Sequence, residues 1–224
     1  MDEYQPWGVT YYTVEEGTHT SFNTKRARID LLTNPYYGRM LFIDGVLQST
    51  SSDEKIYHSE LIKIMRKDMP SSVLIVGGAE GALARHVLSS SNATGSVSKV
   101  VMVDWDEELV DVMKGECFAG DAFSDPRLTL VHEDIFEFIK DSEKYDYIIL
   151  DLLDPSLNDL DWLLEVCRMC LQKSSKISMN AGGDKDVVEA IINSLDITGC
   201  YITKRTIQVP SFQQDWYLLD IELM

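Results

Sequence analysis

Four cysteines in 224 residues are too few for a disulfide framework in a chain of this length. Cys167 and Cys170 form a C-x-x-C inside WLLEVCRMCL, an amphipathic helical pattern. That setting lacks the preceding strand of a redox motif and the second ligand pair of a zinc site, so both read as core residues and no metal is expected. No run approaches the roughly 18 to 20 apolar residues that cross a bilayer. The opening MDEYQPWG is too acidic and polar for a signal peptide, which leads us to expect a cytoplasmic protein. Positive charge is scarce as well: 20 Lys and Arg stand against 37 Asp and Glu, a net charge of −17 with neutral histidines. Such a chain repels phosphate backbones and anionic membranes, so neither nucleic acid nor membrane is an expected partner. It attracts cationic ligands, although the same charge also serves solubility.

What is present suffices for a packed core, with 45% apolar and 9% aromatic residues. Up to about Tyr57 the pattern is short, alternating and turn-rich. VTYYTV, RARIDLL and RMLFIDGVLQS carry β-branched and aromatic residues, punctuated by Asn34-Pro35 and Asp44-Gly45. This predicts a small antiparallel β-domain over residues 1–56, followed by a helix, YHSELIKIMRK, that opens a second domain over 57–224. From Ser72 the rhythm becomes βαβ. The strands SVLIVG, KVVMVD, LTLVH, YDYIILD and KISMN alternate with helical patterns, and YITKRTIQV and DWYLLDIEL close the chain. Short continuous apolar runs suit strands buried on both faces. The fold class expected is α/β, a doubly wound Rossmann-like sheet of the class I methyltransferase type behind the β-domain. Ligands in such sheets bind beyond the carboxyl ends of the strands, near the switch in strand order.

Those ends are acidic. The first strand runs into Gly77-Gly78-Ala79-Glu80-Gly81, a loop that lets backbone approach a ligand. Glu80 would repel a phosphate or carboxylate there, so the loop suits a cationic group. Asp104 ends the second strand, where an acid commonly accepts from the two ribose hydroxyls of a nucleoside. A helix N-terminal acid is the competing reading, and Asp106 fits it better. Asp134 could accept from an adenine amino group, cap the next helix, or do both. Asp151 ends a fully apolar strand and has few bland explanations, whereas Asp154 could be a turn acid beside Pro155. Together Glu80, Asp104, Asp134, Asp151 and Asp154 suggest a site for a positively charged nucleoside together with an amine.

At these residues the sequence resembles the polyamine aminopropyltransferases (spermidine, spermine and thermospermine synthases), most of all the thermospermine branch. YGRMLFIDGVLQSTSSDEKIYHSEL carries the family's DG-x-x-Q and DE-x-x-YH elements. IVGGAEGALAR, KVVMVDWD, HED and LDLLDP follow in order, and VPSFQQDW resembles the VPSF-to-Trp motif. The resemblance implies transfer of an aminopropyl group from decarboxylated S-adenosylmethionine to a polyamine, spermidine before putrescine, releasing methylthioadenosine. It implies this co-substrate, no permanently bound cofactor, and a homodimer. By position, Gln48, Gly77, Gly78, Glu80, Asp104, Asp134 and Ile135 would hold the nucleoside. Glu80 would take its aminopropyl end, Asp104 the ribose and Asp134 the adenine. Asp151 would be the catalytic acid-base residue. Tyr57, His58, Glu80 again, Asp154, Phe212, Asp215 and Trp216 would hold the amine.

Several positions depart from the family pattern. Ala27 stands where the family has a glutamine, Ala79 replaces the loop's third glycine, and Gln214 replaces an acid, leaving Asp215 one place along. The segment after Pro155 is shorter than expected. Two alternatives stay open: an S-adenosylmethionine methyltransferase, which Glu80 disfavours, and a non-catalytic homologue.

Overall fold

The computed structural model describes residues 1–5, 8–92, 95–152, 156–196 and 199–223. An N-terminal hairpin, β1 (Asp2–Gln5) and β2 (Gly8–Tyr11), precedes an antiparallel sheet of β3 (Thr20–Asn23), β4 (Arg28–Asn34), β5 (Gly38–Ile43) and β6 (Val46–Thr50). Two short helices follow, α1 (Glu54–Leu61) and α2 (Lys63–Asp68). The boundary expected between residues 56 and 57 falls inside α1, whose first residue is Glu54.

The remaining elements run in chain order as β7 (Ser72–Gly77), α3 (Ala82–Leu88), the two-residue strands β8 (Ser91–Asn92) and β9 (Gly95–Ser96), β10 (Lys99–Val103) and α4 (Glu107–Met113). Then come β11 (Leu128–Val131), α5 (Ile135–Asp141), β12 (Tyr147–Asp151), α6 (Leu160–Leu171), β13 (Lys176–Gly182), α7 (Lys185–Asp196), β14 (Cys200–Gln208) and β15 (Asp215–Leu223). Seven of these strands form one sheet in the order β11-β10-β7-β12-β13-β15-β14. The first five are parallel, and β15 and β14 add an antiparallel edge. The chain reverses direction across the sheet between β7 and β12, and Asp151 pairs with Gly77 at that switch.

Alternation along β7 shows why its apolar run is continuous. Val73 and Ile75 enter the core shared with α1, α3 and α4, while Leu74 and Val76 enter the opposite core with α5, α6 and α7. Both faces are covered, so both must be apolar. Cys167 and Cys170 lie in the second core, where burial pushes the Cys167 thiol up to about 12. They are packing residues.

The antiparallel sheet is fastened to the large one by polar contacts. Arg39 donates to Glu116 at 2.7 and 2.8 Å, and Thr24 Oγ1 donates to Asp106 at 2.6 Å. Among the described residues no helix is long and apolar enough to cross a membrane.

Candidate active site

Beyond the carboxyl ends of β7, β10, β11 and β12 lies a cavity of about 620 Å³, walled on its far side by the antiparallel sheet. That volume suits a ligand of nucleoside size with a short chain. Its described lining contains nine carboxylates (Glu3, Asp44, Glu80, Asp104, Asp106, Glu133, Asp134, Asp151 and Asp159) against one basic side chain, Arg26. Low-dielectric walls bearing one sign of charge focus the field, so the cavity favours cations.

The glycines act through backbone geometry. Gly77 has φ +86°, and a Cβ there would meet the Asp151 carbonyl oxygen at 2.2 Å. Gly78, at φ +77°, brings the loop beside the Asp151 carboxylate. Only glycine lets the two strand ends approach so closely.

Asp151 is nearly buried, and its Oδ1 accepts from the Tyr57 hydroxyl at 2.5 Å. Burial and the neighbouring Glu80 charge raise its pKa to about 6, against the opposing pull of His58 and the Tyr57 hydrogen bond. Asp104 is also raised to about 6, chiefly by burial, although the Asp106 backbone N–H donates to it at 2.9 Å. Asp106 itself is the cap: it accepts from Leu109 N at 3.1 Å and from Thr24. Asp134 caps α5 by accepting from Phe136 N at 2.8 Å and still lines the cavity beside Ile135. Gln48 lines it from β6.

Phe212 and Trp216 close one end, their ring centroids 4.4 Å apart, with Phe212 edge-on to Tyr57 at 5.9 Å. The Trp216 indole donates to Asn180 Oδ1 at 2.8 Å, and Asn180 in turn donates to the Leu152 carbonyl. Asp53 fixes this end to the start of α1, accepting from Ser211 N at 2.8 Å and from the Thr50 hydroxyl at 2.6 Å.

Two expectations change. His58 does not line the cavity: it is 1% exposed and lies beneath the site, with Nε2 3.3 Å from Glu80 and 3.9 Å from Asp151. It faces carboxylates, not the cavity. Asp215 is exposed and accepts from Gln208, because strand alternation turns its neighbour Trp216 inward instead. Gln214 takes the lining position and packs tightly against Gly183. Asp154 lies outside the described residues.

Some lining residues gave no signal in the sequence. Glu3 is buried, accepts from the Tyr12 hydroxyl and from Leu47 N (both 2.8 Å), and reaches the cavity together with Tyr12. Arg26 and Trp105 meet at the rim, the guanidinium 4.5 Å from the ring centroid. Glu54, beneath the floor, was hidden in the DE-x-x-YH element. It gathers His58, His86 and Arg85 at 2.9, 3.1 and 2.6 Å. Ligand atoms of Glu54, His58 and His86, and of His58, Glu80 and Asp151, fall within 4.8 Å of one another, close enough to share an ion. Arg85 already occupies one Glu54 oxygen and the two imidazoles meet the other, so that carboxylate has no oxygen left over for an ion.

Residues 51–217 match the family model described as the spermine/spermidine synthase domain. The chain is 42% identical over 147 residues to a polyamine aminopropyltransferase of Saccharolobus solfataricus, covering 63% of this chain and 48% of that protein. It is 33% identical over 204 residues to a thermospermine synthase of Arabidopsis thaliana, covering 84% and 59%. The chain thus spans about half the length of the curated relatives it matches. The solved spermidine synthase of Thermotoga maritima superposes with a TM-score of 0.84 at 20% identity, covering 99% of this chain and 78% of that one. A spermidine synthase solved with the transition state analogue AdoDATO gives 0.83 at 21% identity, covering 99% and 79%.

Proposed function

The chain belongs to the spermine/spermidine synthase family, and from that premise we propose that it transfers an aminopropyl group from decarboxylated S-adenosylmethionine to a polyamine. The observation that carries the reading is Asp151, a nearly buried carboxylate at the sheet's switch point, facing a cavity lined by acids. A fold neighbour solved with a transition state analogue is consistent with this chemistry, and the curated relatives are named for it.

The amine nucleophile has a pKa of about 10 in water and arrives protonated. Asp151, oriented by Tyr57, accepts a proton from that nitrogen. The freed lone pair forms a bond to the methylene carbon next to the sulfonium. The carbon–sulfur bond breaks with its electrons going to sulfur, and neutral methylthioadenosine leaves without needing an acid. General-base help of this kind is worth about 100- to 10,000-fold. Alignment of nitrogen, carbon and sulfur supplies much of the rest.

Glu80 takes the cationic end of the aminopropyl chain, Asp104 the ribose, and Asp134 and Ile135 the adenine. Gln48 lies along the same nucleoside. Phe212 and Trp216 pack against the methylene stems of the amine, with spermidine the favoured acceptor. The test is direct. Purified protein is incubated with decarboxylated or ordinary S-adenosylmethionine and a panel of amines, and products are read by mass spectrometry. Methylthioadenosine with an aminopropylated amine supports the reading. S-adenosylhomocysteine with a methylated product would replace it with methyl transfer, and no product with any amine would leave a binding protein.

A further inference from the structure

His58 is enclosed by acceptors on both sides. Its Nδ1 stands 2.9 Å from the Glu54 backbone carbonyl and 2.9 Å from Glu54 Oε2. Neither oxygen of an ionised Glu54 donates, so Nδ1 must carry a proton. On the opposite edge, Nε2 lies between Glu80 Oε1 at 3.3 Å and Asp151 Oδ2 at 3.9 Å, aligned for a hydrogen bond with neither. A neutral ring would aim a lone pair at two carboxylates. A second proton on Nε2 turns that repulsion into attraction toward both.

Glu54 is itself held as an anion. Arg85 Nη2 donates to its Oε1 at 2.6 Å, and His86 Nε2 lies 3.1 Å from its Oε2. The His86 ring stacks on His58 with centroids 5.5 Å apart. The charged and titratable groups facing His58 are therefore Glu54 from α1, Arg85 and His86 from α3, Glu80 from the loop after β7, and Asp151 from β12. Tyr57 reaches Asp151 from above, and the Asp104 charge bears on Asp151 from β10.

We propose that Glu54 and His58 form a buried positioning pair, whose imidazolium holds Glu80 and Asp151 side by side as two carboxylates under the reacting nitrogen. This deepens the reading of Asp151 as the base and rests on it. Two adjacent carboxylates in a site shielded from water resist simultaneous ionisation, so one would otherwise keep a proton at neutral pH. A protonated Asp151 could not take the amine's proton. A fixed cation below both removes the conflict, while Tyr57 engages the other Asp151 oxygen. Burial disfavours charge on His58, yet Glu54, Glu80 and Asp151 outweigh it and hold the imidazolium to about 10.

The test reads protonation and turnover separately. Imidazole and carboxyl signals are followed by NMR against pH in wild type, Glu54→Gln and His58→Gln, with kcat/KM profiles alongside. Wild-type His58 is expected doubly protonated at pH 8. Glu54→Gln should lower its titration and move both the Asp151 titration and the acidic limb of kcat/KM upward by about one pH unit. His58→Gln should move the limb the same way. A neutral His58 at pH 8 overturns the proposal, and so does a rate loss in both variants that is equal at every pH with the limb unmoved. Because the titrations need no turnover, an inactive wild type would sink aminopropyl transfer, and the pairing would still stand or fall on the NMR.

Discussion

At Asp151 burial and Glu80 pull the carboxyl toward its protonated form, while His58 and Tyr57 pull it back, leaving a pKa of about 6. A general base must be ionised to act, so kcat/KM should fall as pH drops through about 6. Asp104 titrates in the same range, so the decline should be steeper than a single ionisation gives. Asp151→Asn keeps the shape but cannot accept the proton, and turnover should drop by about 100-fold or more. A loss below about tenfold would remove Asp151 as the base. Glu80→Gln should bring the affinities for decarboxylated and ordinary S-adenosylmethionine closer together in calorimetry, because a cation-binding charge that repels a carboxylate is gone. Equal affinities in wild type would contradict the assignment. The position of Asp151 at the cavity was legible because a carboxylate ending an apolar strand has few structural uses. His58 was misplaced because its depth is set by α3, β7 and β12 together, which no local pattern reports. Asp215 was misread by one step of strand alternation.

The parallel strands and their helices were readable from runs such as SVLIVG, whose continuity reflects cover on both faces. The single helix expected over 57–67 is instead two, parted at Ile62, where the backbone leaves helical geometry. DEYQ has no apolar alternation, so β1 could not be read: Glu3 holds it in place through Tyr12 and Leu47, contacts distant in sequence. The most demanding junction is the crossing of β7 and β12. Gly77→Ala would need a left-handed backbone and would drive its Cβ into the Asp151 carbonyl. The backbone conformation alone costs about 1–3 kcal/mol, and the collision displaces the end of β12 that carries Asp151. We expect a lower melting temperature together with loss of nucleoside binding by calorimetry. Wild-type values for both would mean that the junction tolerates what its geometry forbids.

Charge over the whole molecule points one way. The chain carries −17 and places nine carboxylates around one cavity, a field that would draw in the polyamine proposed as acceptor. Such attraction weakens as ionic strength shortens the Debye length from about 30 Å at 0.01 M to about 8 Å at 0.15 M. The KM for the amine should therefore rise with salt while kcat changes little. Spermidine, with one more positive charge than putrescine, should show the steeper dependence. It should also have the higher specificity constant at low salt, since both the added charge and the added methylenes have acids and the Phe212–Trp216 wall to meet. Gln214 lines the cavity without a charge, which leaves any advantage of spermidine to the field and the apolar wall. Steady-state kinetics with both amines at two ionic strengths separates these contributions. A spermidine preference that survives high salt assigns selectivity to the wall, and one that vanishes assigns it to the field. A higher specificity constant for putrescine at both ionic strengths would overturn spermidine as the favoured acceptor.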